Sequence, residues 1–170
     1  QNQIISFDHE NYNTGTKKTY RVRPYMLKEY LYRWYLVSVA VGKTEPFIFG
    51  IDRIKNLLVT QEPFSPDPLF PYNRLFDPVI GLDYSNAQIE KIVLSLDPKQ
   101  AKYLDSFPLH PSQKVISATV KAVTIQLEVI INYELIQQIL QWGVKAEVIS
   151  PEALRAKVAS LLTMMQKKYD

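Results

Sequence analysis

The chain has 170 residues, of which 46% are hydrophobic and 22% are charged, which suffices for one globular domain or two small ones. It contains no cysteine, which excludes disulfides and thiolate metal sites, and its two histidines are too few for a histidine-rich metal site. The net charge of +3 is too small to indicate nucleic-acid binding by itself, and charged residues interrupt every apolar run before it could span a bilayer.

Residues 3–64 have the sequence pattern of β-strands. Turn residues separate the strand-like runs at Asn13–Gly15, at Gly42–Lys43 and at Glu45–Pro46. The runs are rich in β-branched and aromatic residues and show no helical periodicity: IISF, TYRVRPYML, RWYLVSVAV, FIFGI and IKNLLVT. Several short strands in succession predict a small β-barrel, which we assign to residues 1–64.

A proline-rich connection follows over residues 65–85. Its first part, SPDPLFPYNRLFDP at 65–78, contains four prolines, which fix the backbone angle φ and donate no hydrogen bond. The segment is therefore predicted to be a linker or a wrapped connection. Because it lacks a Gly/Ser-rich stretch, we expect it to follow a fixed path rather than act as a flexible tether.

Residues 86–170 change to an alternation of strands and helices. Asp97 before Pro98, Asn132, and Ser150 before Pro151 have the spacing of helix N-caps, and Gly143 has that of a C-terminal cap. The predicted strands are AQIEKIVLSL, KVISATVKA, VTIQLEVII and VKAEVIS. The resulting order, βαββαβ followed by a last helix, predicts a ferredoxin-like α+β domain over residues 86–170.

The excess positive charge lies entirely in the first part of the chain. Residues 1–64 contain nine Lys and Arg against six Asp and Glu, whereas residues 65–170 contain eleven of each. In the first part the basic residues alternate with tyrosines, a mixture that suits a phosphate-bearing or single-stranded nucleic-acid ligand. The simpler alternative is a solvated surface with half-packed tyrosines.

Motifs typical of catalysis are absent from the sequence. Only His110, in the stretch PLHPSQ, has a possible nucleophile nearby, Ser112. This pair could form a small enzyme site together with acidic residues of the connection. The alternative is that the histidine ring only satisfies local backbone groups, and we favour it because no third orienting group can be identified.

The stretch RWYLVSVAVGKTEPFIFGIDRI at 33–54 carries the strongest candidates for binding. Alternate residues of a strand share a face, so Arg33 lies on the same face as Tyr35, and Arg21 on the same face as Arg23. Arginines at strand ends could converge with Arg53 on an anion, since a guanidinium group suits bidentate contacts to phosphate. Alternatively, Arg53 pairs with a nearby acid such as Asp52 or Glu29 and has a structural role.

The same stretch resembles the WYL domain, which is named after the triplet found here as Trp34-Tyr35-Leu36. The Asp-Arg-Ile sequence and the preceding ISF and VRPYML runs fit this family as well. The second half is similar to the WCX extension of bacterial transcriptional regulators, in its stretches PLHPSQ, NYELIQQILQWG and VISPEALRAKV.

The resemblance implies a fold and a function. It implies an SH3- or Sm-like barrel that senses a nucleotide or single-stranded nucleic-acid ligand, joined to a part that forms homodimers. It also implies a DNA-binding helix-turn-helix segment, which these 170 residues lack. Because the chain begins with Gln1 and shows no signal peptide, we expect a fragment of a cytoplasmic, non-enzymatic regulator without cofactor or metal.

The resemblance also suggests the binding residues. The positions that match the basic pocket of the family are Arg53, Arg33, Tyr35, Arg21, Arg23 and His9. His9 stands where many members have an aromatic residue after the first strand. One departure from the family is Gly50, which stands where many members carry a basic residue, so a weaker or different ligand is compatible with the sequence.

Overall fold

The computed structural model describes residues 2–12, 14–84 and 88–170. Contacts between Cα atoms divide the chain into two compact units, the first ending at Leu75 and the second beginning at Phe76. The predicted boundary between residues 85 and 86 lies outside the described residues, as does Asn13 of the first predicted turn. None of the described helices combines the length and the apolar character needed to cross a bilayer.

The first unit contains an antiparallel sheet of five strands. These are β1 (Gln3–Glu10), β2 (Lys17–Tyr30), β3 (Arg33–Ala40), β4 (Pro46–Gly50) and β5 (Ile54–Pro63), with a 3₁₀ helix at Ile51–Arg53 between the last two. The strand order is β4-β3-β2-β1-β5. Its small core contains Phe7, Val22, Leu36 and Phe49, and the rings of Phe7 and Phe49 meet edge to face at 5.0 Å.

The prediction of a closed barrel is wrong. In the described part of the chain β4 and β5 lie at opposite edges of the sheet, and no backbone pairing joins them. The reason is that β5 leaves β4 through the 3₁₀ helix and pairs with β1, where Ile5 faces Val59 and His9 faces Ile54. The five predicted strands are present, but their hydrogen bonds leave the sheet open.

The turn between β2 and β3 has an unusual backbone conformation. Leu31 and Tyr32 both have positive φ angles, 47° and 61°, and Tyr30 pairs with Arg33 across the turn. Two-residue hairpin turns with this geometry favour Asn-Gly, because larger L-residues meet steric repulsion in the left-handed region. The penalty is about 1–2 kcal/mol for each such residue.

The second unit contains one four-stranded antiparallel sheet and three α-helices. The strands are β6 (Ile89–Leu96), β7 (Lys114–Ala118), β8 (Val123–Ile130) and β9 (Ala146–Ser150), in the order β7-β8-β6-β9. The helices are α1 (Pro98–Ser106), α2 (Tyr133–Trp142) and α3 (Glu152–Gln166). Alternate apolar residues of β6 and β8 form the core together with residues of all three helices.

Three of the four predicted helix caps are confirmed. Asp97 accepts hydrogen bonds from the backbone nitrogens of Lys99 and Gln100 at the start of α1, and Gly143 ends α2 with a φ of 56°. Asn132 accepts one from Leu135 at the start of α2. The prediction that Ser150 caps α3 is wrong, because Ser150 ends β9 and Pro151 takes the cap position without a side-chain hydrogen bond.

The first part of the proline-rich connection packs on the first unit. The ring of Phe70 lies 4.7 Å from that of Tyr25 in β2, and the backbone nitrogen of Asp67 donates to the Tyr25 hydroxyl at 3.3 Å. Tyr72 joins the same cluster at 5.6 Å from Tyr25. These ring contacts give residues 65–72 a defined path.

The later part of the connection is attached to α2. The amide of Asn132 donates to the carbonyl oxygens of Ile80 and Asp83 at 2.8 and 2.9 Å. One carboxylate oxygen of Glu134 accepts from the backbone nitrogens of Leu82 and Asp83. One buried asparagine therefore both begins α2 and fixes the chain that precedes β6.

Replacing Asn132 with Ala should lower the free energy of unfolding by about 2–4 kcal/mol, because it removes a helix cap and leaves two carbonyl groups without their donor. Asn132→Ser retains a capping oxygen but has no amide to donate, so an intermediate loss is expected. Urea unfolding of the wild type, Asn132→Ala and Asn132→Ser measures the contribution of the helix cap and that of the two bonds to the connection. If Asn132→Ser is as stable as the wild type, the two bonds to the connection contribute nothing.

Candidate functional site

The 3₁₀ helix after β4 brings Asp52 and Arg53 back over Gly50. A Cβ atom at Gly50 would lie 2.7 Å from Asp52 Oδ1 and 3.0 Å from both Nε and Nη2 of Arg53. Tyr35 is the residue paired with Gly50, and directly paired residues point to the same side of a sheet. The absence of a side chain at position 50 therefore makes room for the Arg53 guanidinium beside Tyr35.

Arg53 has an aromatic partner rather than an acidic one. Its Cζ atom lies 5.2 Å from the ring centroid of Tyr12, within the range of a cation–π contact. In the described part of the chain no carboxylate lies within 4.0 Å of its guanidinium nitrogens, so the alternative of an ion pair with Asp52 or Glu29 is not what the structure shows. Tyr12 was missed by the sequence analysis, because its contact joins residues 41 positions apart.

Arg33 is the residue that pairs with Asp52. Its Nη1 atom lies 3.7 Å from Asp52 Oδ2, and the two side chains are 68% and 50% exposed. Such an exposed pair contributes about 0–1 kcal/mol at most. Arg33 is therefore held only weakly and can turn toward an anion that approaches the same face.

His9 lies behind this group in an aromatic environment. It is only 8% exposed, and its ring lies 5.0 Å from that of Phe49 and 6.3 Å from that of Tyr20. Its Nε2 atom has no hydrogen-bond partner among the described residues. Burial lowers the pKa of His9, and the positive charge of Arg53 lowers it further, with Asp52 acting in the opposite direction. The ring is therefore neutral at physiological pH.

Arg21 and Arg23 are engaged elsewhere on the sheet. The Nη2 atom of Arg21 donates to Glu62 in β5 at 2.5 Å, and the Nη2 atom of Arg23 donates to the backbone carbonyl of Lys43 at 2.7 Å. Each of these two arginines thus has a local partner in the fold. Of the six residues suggested by the sequence, the structure groups Arg53, Arg33, Tyr35 and His9 around Gly50 and Phe49.

His9 also lines a small pocket. The pocket has a volume of about 220 Å³ and is lined by Asp8, His9, Glu10, Lys17, Lys55 and Asn56. Asp8 accepts hydrogen bonds from Thr19 at 2.5 Å and from Asn56 at 2.8 Å, which keep its pKa below the ordinary value. The pocket therefore carries charges of both signs.

His110 and Ser112, the alternative enzyme site, are bound to backbone groups of the second unit. His110 Nε2 lies 2.6 Å from the carbonyl oxygen of Asp77, which can only accept, so Nε2 carries the proton. His110 Nδ1 accepts from the backbone nitrogen of Ser112 at 3.1 Å and lies 2.8 Å from its hydroxyl oxygen. That oxygen also bonds to the backbone nitrogen and carbonyl of Glu128.

This arrangement lacks the orienting group that a serine nucleophile and a histidine base require. The nitrogen of His110 that faces away from Ser112 meets a backbone carbonyl, where a catalytic histidine would meet an orienting carboxylate. Moreover, His110 is almost fully buried. Nor does any group of three His, Asp or Glu side chains in the described ranges have the arrangement of a metal site.

Comparisons with known proteins match both halves of the chain. The family model of the WYL domain matches residues 1–59, and the model of the WCX domain matches residues 88–166. A search of curated proteins finds no significant match.

Two solved structures are similar along nearly the whole chain. The chain is 20% identical to proteasome accessory factor B/C (PafBC) of Arthrobacter aurescens, with a TM-score of 0.41 over 92% of this chain and 24% of that protein. It is 14% identical to a CRISPR Cas-related protein, with a TM-score of 0.61 over 98% of this chain and 47% of that protein. The second likeness shows a shared fold. The chain spans about a quarter and about half of these two proteins.

The environment of His9 predicts a pH dependence of stability. Because the pKa of His9 is lowered on folding, the unfolded chain takes up the proton first, and stability falls as the pH drops through the ordinary value of 6.5. We expect the melting temperature of the wild type to fall more steeply between about pH 7.5 and about pH 5 than that of His9→Phe.

Arg53→Gln is a companion variant in this experiment. It removes the charge that lowers the pKa of His9 but leaves the ring buried. The pH dependence of its melting temperature should therefore lie between those of the wild type and His9→Phe. Asp8 is present in all three proteins, so its own acid sensitivity cancels in the comparison. Equal slopes for the wild type and His9→Phe would show that His9 takes up its proton equally well in the folded state.

Proposed function

We propose that this chain, which consists of a WYL domain followed by a WCX domain, is the ligand-sensing and dimerisation part of a bacterial transcriptional regulator. Its ligand in this proposal is a phosphate-bearing molecule or a single-stranded nucleic acid, bound on the first sheet. DNA would be bound by a helix-turn-helix segment outside these 170 residues. Such a regulator acts in the cytoplasm.

One observation carries the proposal: the guanidinium of Arg53 is held over Gly50 beside Tyr35 and has no acidic partner within 4.0 Å among the described residues. A positioned guanidinium without a carboxylate can bind a phosphate without first breaking an ion pair. Arg33 supplies a second positive charge, and the rings of Tyr12 and Tyr35 supply surfaces for stacking a base.

The candidate residues would contribute to ligand binding in different ways. Arg53, Arg33 and Tyr35 would contact the ligand directly, and His9 would support them from behind Phe49. Arg21 and Arg23 would contribute only positive potential, because both already have partners. The chain would have no catalytic role, and the local bonds of His110 and Ser112 support this view.

The proposal also covers the arrangement of the second unit and the limits of the two domains. We propose a ferredoxin-like arrangement for residues 86–170, supported by the strand order β7-β8-β6-β9 with antiparallel neighbours throughout. We also retain residues 1–64 as the WYL part and residues 65–85 as the connection. The contact of Phe70 with Tyr25 in the first unit and that of Asn132 with Ile80 in the second support a connection between the two.

Arg53→Ala should weaken binding of short single-stranded DNA by about 1–3 kcal/mol, as the loss of a charge-assisted contact does. It should also reduce the slope of log affinity against log salt concentration by about one unit, because one phosphate contact is lost. Fluorescence titrations with labelled oligonucleotides at several salt concentrations measure both quantities.

Lys102→Ala is the matched control, since Lys102 is an exposed cation on α1 in the second unit. It should change neither affinity nor slope. A thermal melt without ligand accompanies the titration. An unchanged affinity for Arg53→Ala would place the binding site elsewhere, and a sharply lowered melting temperature would instead make Arg53 a structural residue.

Homodimer formation is proposed from the exposed half of α3. Leu154 and Val158 are buried in the core, but the apolar side of the helix continues with Leu162 and Met165, which are exposed, and the exposed Tyr169 follows just beyond its end. A second copy could cover this surface, and the flexible methionine side chain suits such a contact.

Sedimentation should therefore show dimers at micromolar concentration, and Met165→Glu should shift them toward monomers. Ser160→Glu adds the same charge on the opposite side of the helix and serves as control. A wild-type protein that sediments as a monomer, or a control that dissociates equally, would contradict the proposal.

A further inference from the structure

The turn that joins β2 to β3 is made of residues that do not suit its conformation. Leu31 and Tyr32 both occupy the left-handed region, which glycine and asparagine enter far more easily. Their side chains contribute little to the stability of the fold, because they are 71% and 96% exposed. The turn thus combines backbone strain with two large apolar side chains presented to solvent, a combination typical of a surface used for binding.

Positive charge lies directly beside this turn. Arg33 follows Tyr32 in the chain and is held only by its weak pair with Asp52. Across the hairpin Tyr30 pairs with Arg33 and Lys28 pairs with Tyr35, so that on this side of the hairpin two aromatic residues stand opposite cations. On the other side Trp34 stands opposite Glu29. A surface in which rings alternate with cations complements the phosphates and the bases of a single strand.

The turn also continues the site around Gly50. Tyr35 follows Tyr32, the last residue before β3, by three positions, which corresponds to at most about 10 Å at the rise of a strand. Arg53 lies beside Tyr35, over Gly50. A distance of about 10 Å matches roughly three steps of stacked nucleotides, at about 3.4 Å each. One short segment of nucleic acid could therefore reach both Arg53 and the turn.

We propose that the Leu31–Tyr32 turn is a stacking tip, on which the ring of Tyr32 packs against an unpaired base of a single strand whose phosphates bind Arg33 and Arg53. The inference rests on the proposed function and deepens it by assigning the ligand to single-stranded nucleic acid rather than to a small phosphate compound. Leu31 covers the edge of the same base. Specificity for sequence is not expected, since every base has a face on which a ring can stack.

The decisive variant is the double replacement Leu31→Asn with Tyr32→Gly. It introduces the residues that this turn favours, so its melting temperature should equal or exceed that of the wild type. At the same time its affinity for a single-stranded oligonucleotide should fall roughly tenfold, as the loss of one stacked base does. Its salt dependence should be unchanged, because no phosphate contact is removed.

Two comparisons separate stacking from other effects. Tyr32→Phe retains the ring and should bind like the wild type. An oligonucleotide with an abasic site at the stacked position should lose affinity for the wild type but not for the double variant. Abasic sites introduced one at a time identify that position, and a protein contact at the turn would produce no such pattern.

The outcomes distinguish this inference from the proposed function. If the wild type binds oligonucleotides and the double variant binds equally well, the stacking tip is wrong while the anion site at Arg53 stands. A smaller salt slope for the double variant would also overturn the tip, since the turn would then act through charge. If the wild type binds no oligonucleotide at all, the stacking tip is wrong and so is the proposal of a nucleic-acid ligand at Arg53.

Discussion

The site on the first sheet depends on the missing side chain at Gly50. Asp52 and Arg53 follow it in a 3₁₀ turn and occupy the space that a Cβ atom would need. Any larger residue would displace the Arg53 guanidinium from its position beside Tyr35 and over Tyr12. The same turn separates β4 from β5, so one backbone feature determines both the open edge of the sheet and the position of its principal cation.

The second unit depends on a comparable constraint at the start of α2. Asn132 is buried and uses both ends of its amide, one for the helix and one for the chain before β6. Glu134 adds two further contacts to the same segment. Proline alone restricts where a connection can go, but these hydrogen bonds determine where residues 80–83 lie.

Local signals in the sequence were sufficient for most elements and insufficient for what depends on distant pairing. Asp97, Asn132 and Gly143 were predicted correctly, because a cap acts within one turn of its own helix. Closure of the barrel was predicted wrongly, since it depends on whether β5 returns to β4 or joins β1. For the site, the sequence suggested Arg53 but not its contact with Tyr12, which lies on a distant segment. The burial of His9 behind Phe49 was equally invisible, because it follows from strand register.

The Leu31–Tyr32 turn also affects how the first sheet forms. A turn of Asn-Gly would close the β2–β3 hairpin from its tip, with pairs only a few residues apart forming first. Leucine and tyrosine in left-handed conformation disfavour that start, so the register must come from the buried end, where Val22 faces Ala40. Those residues are eighteen positions apart, and the chain must close that larger loop before the contact stabilises anything. We therefore expect the hairpin to form after the core contacts, with its tip ordering last.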